Sequence, residues 1–512
     1  MDTRIKSLGE LKKSNYKSKT IKDELRDNLI KFLKENKNPF EGIIGFDDTV
    51  IPDLQTAILS RHDILLLGLR GQAKTKIARL MTNLLDEYIP TIEDSELNDD
   101  PFNPLSVIAK EIIKRDGDNT RINWIHRSER YTEKLATPDV SVADLIGDVD
   151  PIKAAALKLP YSDERVIHFG LIPRSHRGIF VINELPDLQA RIQVALFNIL
   201  QESDIQIRGF KIRLPLDIQF IFTANPEDYT NRGSIVTPLK DRIDSQILTH
   251  YPKSIEVSKM ITKQEAKLSE EQIERINPDE ILLDLIEQIA FEARSSEYID
   301  AKSGVSARLT ISAYENLMST AERRRIVNNE NETHLRISDL YGVIPSITGK
   351  IELVYEGEQE GPAKVAQILI GKAIRNSFTQ YFPTPDSLKP KAHQPGTEKK
   401  PYQPNPYQPI IDWFKKGNKA DLMMNLSDKD YKKLIQSIPC LDDVVKKFQP
   451  KLNGNSRLLL MEFLLFGLSE YSLLSRTKIE DGIQFRDMLS SMFTMPDEEE
   501  FEDEDDESQY KF

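Results

Sequence analysis

Asp63-Ile64-Leu65-Leu66-Leu67-Gly68-Leu69-Arg70-Gly71-Gln72-Ala73-Lys74-Thr75 runs from an apolar strand into a glycine-containing loop closed by Lys-Thr. Ile77, Leu80, Met81, Leu84 and Leu85 then recur at helical spacing. Strand, loop and helix in this order are the layout of a phosphate-binding P-loop. Backbone N–H groups of Gly68, Leu69, Arg70, Gly71, Gln72 and Ala73 would wrap the phosphates, Lys74 would meet the β/γ oxygens, and the Thr75 hydroxyl would ligate Mg2+. Ala73 stands where glycine is usual before the lysine. Alanine is the smallest residue with a Cβ, so the loop is expected to close with a negative φ at that position.

Two more apolar runs end in polar residues. Arg177-Gly178-Ile179-Phe180-Val181-Ile182-Asn183-Glu184-Leu185 has the form of a Walker B strand, with Asn-Glu in place of the usual Asp-Glu. In such an element the first residue holds a water of the Mg2+ shell and the second polarises the attacking water. Asn183 can accept that hydrogen bond through its amide oxygen but brings no charge, so weaker Mg2+ binding is expected, with Glu184 kept as the base. The third run is Ile218-Gln219-Phe220-Ile221-Phe222-Thr223-Ala224-Asn225-Pro226. Its C-terminal end would sit on the edge where parallel sheets bind ligands, with Asn225 orienting the water. Taken singly, each run reads equally as a buried strand capped by a turn. Their order behind the Lys-Thr loop is what gives them meaning.

Composition narrows the class. The chain has 512 residues, 39% hydrophobic and 29% charged, which fits a globular protein of several domains. No segment approaches the run of about 20 apolar residues that spans a bilayer, and the N-terminus lacks an apolar signal core. A single cysteine, Cys440, rules out an internal disulfide framework, and the cytoplasm is the expected compartment. The net charge of −13 is concentrated: ten acidic residues lie between Asp497 and Glu507, leaving −3 for the rest. The body therefore carries no basic footprint for nucleic acid.

The organisation expected along the chain has six parts. Residues 1–38 form an N-terminal helical extension in which Ile21, Leu25, Leu29 and Leu33 share a face. Residues 39–255 alternate short strands with helices, the pattern of a parallel sheet covered by helices. Residues 256–380 read as charged amphipathic helices, 381–408 as a Pro-rich linker, 409–493 as a small C-terminal helical module, and 494–512 as an acidic, disordered tail. Aromatic and aliphatic residues of the module, such as Trp413, Phe414 and Phe463, read as helical core.

Lys74-Thr75, Asn183-Glu184 and Thr223-Ala224-Asn225-Pro226 occur in the order of an AAA+ ATPase. Over roughly residues 39–375 the chain resembles the group containing MoxR proteins and the magnesium-chelatase I subunit. Residues 135–148 and 170–178 look like the region where this clade carries its helix-2 insert. Residues 205–214 fit the hairpin that precedes the third strand. The resemblance implies a P-loop α/β domain followed by an α-helical lid. It also implies ATP and Mg2+ as ligands, Arg242 as an arginine finger reaching ATP on a neighbouring subunit (Arg232 being a second candidate), and Arg308 as sensor 2 at the start of a lid helix. Phe40-Glu41-Gly42-Ile43-Ile44-Gly45-Phe46 resembles the loop that lies against adenine; Ile43 and Ile44 could equally belong to a short strand packing on the core.

A finger supplied by a neighbour implies a homo-oligomeric ring, with a hexamer expected. Family members typically act with a protein carrying a von Willebrand A domain. No Asp-x-Ser-x-Ser motif is present, so that partner is expected to be a separate chain, and the protein client stays open. Two other readings remain. One is a magnesium chelatase subunit driving Mg2+ into a porphyrin, from which the phosphate loop and the extension 409–512 depart. The other is an ATP-gated scaffold with little turnover, to which Ala73 and Asn183 point.

Overall fold

The structure, a computed structural model, describes residues 3–161, 163–202, 204–205, 214–226, 234–388, 405–452 and 454–488. The acidic tail, Arg232, the greater part of the 205–214 hairpin and residues 389–404 of the Pro-rich stretch lie outside the described residues. The chain divides into two compact units: residues 1–257 with 302–306, and residues 258–301 with 307–512.

The first unit is built on five parallel strands. They are β1 (Ile64–Leu67), β2 (Tyr131–Leu135), β3 (Gly178–Asn183), β4 (Ile218–Ala224) and β5 (Ser245–Leu248), arranged β5-β1-β4-β3-β2. The strands β1, β3 and β4 are buried from end to end. They divide residue by residue between two cores, as the period-two geometry of a strand demands. Ile64, Leu66, Ile179, Val181 and Ile221 face one core, completed by α1 (Ile21–Lys34), α2 (Val50–Leu59) and α3 (Lys74–Leu80). Leu65, Leu67, Phe180, Ile182, Phe220 and Phe222 face the other, beneath Leu145, Ile172, Ile192 and Leu239. Each fully buried Leu, Ile or Phe contributes about 1.5–3 kcal/mol.

The helix α1 belongs to this unit. Ile21, Leu25 and Leu29 are buried as the four-residue spacing predicts, whereas Leu33 is 44% exposed. Thr20 caps the helix through Asp23 N–H, and Asp217 accepts from Ile21 N–H at 2.8 Å. Glu24 and Arg130 form a buried bidentate pair at 2.7 and 2.6 Å. Within residues 135–178 a short strand, Gly147–Val149, pairs antiparallel with Ile167–Phe169 around a helix at Pro151–Leu157. At the expected hairpin, Asp204–Ile205 pairs antiparallel with Leu214–Pro215.

The second unit is chiefly helical: α4 (Glu280–Arg294), α5 (Arg308–Val327), α6 (Pro362–Tyr381) and α7 (Gly454–Glu470). The helix α6 packs on both α4 and α7, and close approach to α7 requires Gly467, where a Cβ would lie 2.2 Å from the Phe378 ring. The C-terminal residues are thus part of this unit's core. They also contain a three-stranded antiparallel sheet of Ala420–Met423, Gly482–Arg486 and Ser475–Ile479, so the module is mixed rather than purely helical. Ala420–Met423 alternates buried and exposed residues but is only four residues long, and Ser475–Ile479 and Gly482–Arg486 alternate weakly, which hid them beside the long apolar run of α7. Glu462, fully buried on α7, accepts from Ile337 N–H (2.8 Å), Ser338 N–H (3.0 Å) and the Tyr431 hydroxyl (2.8 Å), and burial raises its pKa. Among the described residues no helix is long and apolar enough to cross a membrane.

Candidate functional site

The parallel register brings the C-terminal ends of β1, β3 and β4 together, because Leu67 lies opposite Ala224 and Ile182 opposite Phe222. The loop after β1 starts at Gly68, whose N–H donates to Ala224 O at 3.2 Å. Two glycines shape it for different reasons. At Gly68 a Cβ would lie 1.9 Å from Thr249 Oγ1 and 2.2 Å from Gln72 Oε1; those two atoms belong to a 2.7 Å hydrogen bond that ties the loop to the chain leaving β5. Gly71 has φ +74°, and a Cβ there would lie 2.0 Å from Ser306 Oγ. Tyr251 donates its hydroxyl proton to Arg70 O at 2.9 Å, and Gly304 packs close to Leu69. Residues 302–306 are therefore part of the wall that holds the loop.

Ala73 has φ +56° and ψ +14°, so it does not escape into negative φ as its side chain would favour. The loop requires a left-handed residue before the lysine, and the alanine adopts it at a cost of about 1–2 kcal/mol. Lys74 opens α3 and is buried; its ammonium donates to Gly68 O and to Leu69 O, the latter at 3.0 Å. Thr75 follows it, half-buried.

Asn183 and Glu184 end β3. Glu184 also sits in the left-handed region at φ +54°, an uncommon conformation for glutamate that turns the chain sharply off the strand. Its N–H donates to Thr223 Oγ1 at 3.1 Å, and the same hydroxyl donates to Asn183 Oδ1 at 3.1 Å. Thr223 thus joins the end of β4 to the Asn-Glu pair. The amide of Asn183 donates to Glu133 Oε1 on β2 at 2.7 Å. Asn225 follows Ala224 directly and is fully buried.

The structure brings together residues 68–75, Asn183, Glu184 and Asn225. Ile43 lies in the core beside α2 and α3, Ile44 is half-buried, and neither forms a strand. The guanidinium of Arg242 donates to Gln201 Oε1 (3.1 Å) and Pro238 O (2.7 Å) and rests 4.9 Å over the Phe197 ring. Arg308 is the exposed first residue of α5 in the second unit. Sequence reasoning missed Glu133, Thr249 and Tyr251. Of these only Glu133 left a trace, in the strand-compatible run Tyr131-Thr132-Glu133-Lys134-Leu135.

The donor set fits ATP with Mg2+. A glycine-shaped loop, a buried ammonium, a hydroxyl and an amide oxygen are the groups that phosphates and a hard cation take.

No protein-family model matches the chain. Solved structures resemble it at low identity. A protein described as an ATPase from Cytophaga hutchinsonii is 17% identical, covering 68% of this chain and 95% of its own, with a TM-score of 0.29. A magnesium chelatase BchI–BchD complex is 18% identical over 63% of this chain and 98% of that one, with a TM-score of 0.32. RuvB of Thermotoga maritima is 12% identical over 77% and 97%, with a TM-score of 0.34. At these scores the likeness carries no weight of its own. The sheet order and the loop do. This is a P-loop α/β fold: a parallel sheet with its Lys-Thr loop after β1 and helices on both faces.

Proposed function

We propose that the chain is an AAA+ ATPase of the MoxR and magnesium-chelatase I type, hydrolysing ATP with Mg2+ to remodel or activate a protein client. The observation that carries this reading is the meeting of three strand ends at the Lys-Thr loop, tied across by Thr223. In this reading residues 68–75 wrap the phosphates and Lys74 exchanges its bonds to Gly68 O and Leu69 O for phosphate oxygens. Thr75 and, through a water, Asn183 hold the cation. Mg2+ bound with ATP supplies charge neutralisation at the transferred phosphoryl group. Glu184 takes the proton of the attacking water, and Asn225 orients that water. Ile43 and Ile44 flank the base. Arg242 serves as finger for a neighbouring subunit once it leaves Gln201 and Phe197, and Arg308 keeps the sensor role that the resemblance implies. The active form in this reading is a homo-oligomeric ring, in the cytoplasm, working with a separate von Willebrand A domain protein.

A scaffold that binds ATP with little turnover is the second reading, favoured by the left-handed Ala73 and the uncharged Asn183. Steady-state ATP hydrolysis over a Mg2+ titration separates the two. Turnover that Lys74→Ala and Glu184→Gln both abolish supports the motor. ATP binding without turnover at high Mg2+ and high protein concentration supports the scaffold.

A further inference from the structure

The residue that replaces the usual aspartate, Asn183, is not left to itself. Its amide nitrogen donates to Glu133 Oε1 at 2.7 Å. A carboxylate only accepts hydrogen bonds, so the nitrogen must face Glu133 and the oxygen must face the other way. There Oδ1 meets Thr223 Oγ1 at 3.1 Å, beside the N–H of Glu184. Glu133 lies on β2 two residues before the partner of Asn183, and the two side chains share one face of the sheet. Its second oxygen accepts from the Tyr131 hydroxyl at 3.1 Å and from Arg79 Nε at 3.0 Å; Arg79 sits on α3, the helix that Lys74 opens.

The plain reading of Glu133 is an ion pair with Arg79. That pair joins a side chain 64% exposed to one 23% exposed, and solvent-screened pairs of this kind contribute little. The bond to Asn183 is the inward one. It points a partly buried negative charge at the back of the amide whose oxygen meets the Thr223 hydroxyl at the end of β4.

We propose that Glu133 is a positioning residue supplying the charge that Asn183 lacks, so that the cation-holding element is divided between two strands. The oxygen is on β3 and the charge is on β2. Glu133 fixes the amide orientation and makes Oδ1 a stronger acceptor for the cation's water shell, as carboxylates behind a metal ligand do. This rests on the ATP and Mg2+ reading given above.

The test is ATP binding by the full chain, measured in EDTA and then across a Mg2+ titration, for wild type, Lys74→Ala, Glu133→Gln and the exchange variant Glu133→Gln with Asn183→Asp. Wild type should bind ATP in EDTA and Lys74→Ala should not; failure of both to bind overturns the ATP reading itself and this inference with it. With that control met, Glu133→Gln should bind ATP in EDTA like wild type yet need about tenfold more Mg2+ at half-saturation. The exchange variant moves the carboxylate onto β3 with a glutamine behind it and should return the Mg2+ requirement to the wild-type range. An unchanged requirement in Glu133→Gln overturns the proposal, as does an exchange variant as weak as Glu133→Gln. Loss of ATP binding in EDTA by Glu133→Gln alone would make Glu133 a fold-holding residue and overturn it too. If Glu133→Gln does not fold, the exchange variant decides by the same criterion.

Discussion

The strands β3 and β4 carry polar clusters at both ends, and the two ends behave differently. At the N-terminal end, Arg177 N–H donates to Asp217 O (2.7 Å), Asp217 N–H donates to His176 Nδ1 (3.0 Å), and Arg177 Nη1 donates to Pro90 O (2.8 Å). Arg130 bridges Arg177 O and Glu24. Every one of these bonds runs to another part of the same unit and locks α1 and the neighbouring loops against the sheet. At the C-terminal end, Thr223 joins Asn183 and Glu184, Asn225 follows Ala224 at the end of β4, and the Lys74 ammonium donates to two carbonyls of the glycine loop, Gly68 O and Leu69 O. Backbone strain does not separate the ends, since Arg177 (φ +58°), Ala73 and Glu184 are all left-handed. What separates them is direction: one cluster closes on itself, and the other converges where open parallel sheets take ligands.

That contrast is broken most severely from the loop side. Lys74→Ala and Glu184→Gln are expected to lower ATP hydrolysis by about 10²–10⁴-fold, read as phosphate release, without moving the denaturation midpoint of the chain. An equal loss of stability would place these residues with the locking cluster instead. At the other end, Glu24→Ala strands the buried Arg130 guanidinium and should cost about 3–5 kcal/mol in chemical denaturation. ATP binding by the folded protein should survive it.

A pH series sharpens the picture further. Burial lowers the His176 pKa from 6.5 to about 4 and raises that of Asp217 from 3.8 to about 6. The unfolded chain protonates His176 first, so its contribution is lost as pH falls from 6.5 towards 4. The folded chain keeps the Asp217 proton longer, so that contribution is lost as pH rises from 3.8 through 6. The slopes oppose one another across the shared window. Asp217→Asn should expose stability that falls on acidification, and His176→Gln should expose stability that rises on acidification, each by at most about 1.4 kcal/mol per pH unit. Parallel slopes in the two variants would contradict the pairing. The smallest effect belongs to Ala73→Gly, expected to raise stability by about 1 kcal/mol as the left-handed strain is released. No gain in the denaturation midpoint would mean that the loop absorbs the strain elsewhere.

Much of the site is legible in the sequence because β1, β3 and β4 are buried on both faces and so spell continuous apolar runs that stop at polar residues. The edge strands are not. Tyr131–Leu135 and Ser245–Leu248 are each half solvated and carry Glu133, Lys134, Gln246 and other polar residues that disguise them. Glu133 was missed for that reason: its meaning depends on register with β3, and register is a property of the paired sheet. The dihedral of Ala73 was misjudged because local preference argues for negative φ and the closure of the loop overrides it. In the second unit α7 is buried all round, and a helix without a polar face leaves no period to read.

The five residues 302–306 belong with the loop-bearing unit although the chain on either side belongs to the other. The half of the protein that would grip ATP is therefore not a contiguous stretch of gene. A fragment ending at Val257 would lose the Ser306 wedge against Gly71 and the Gly304 contact with Leu69, and a flexible linker put in place of 258–301 would have to deliver those five residues back. Dissection of this protein by simple truncation should yield a loop without its wall, whereas an internal replacement that keeps 302–306 should yield one that still closes.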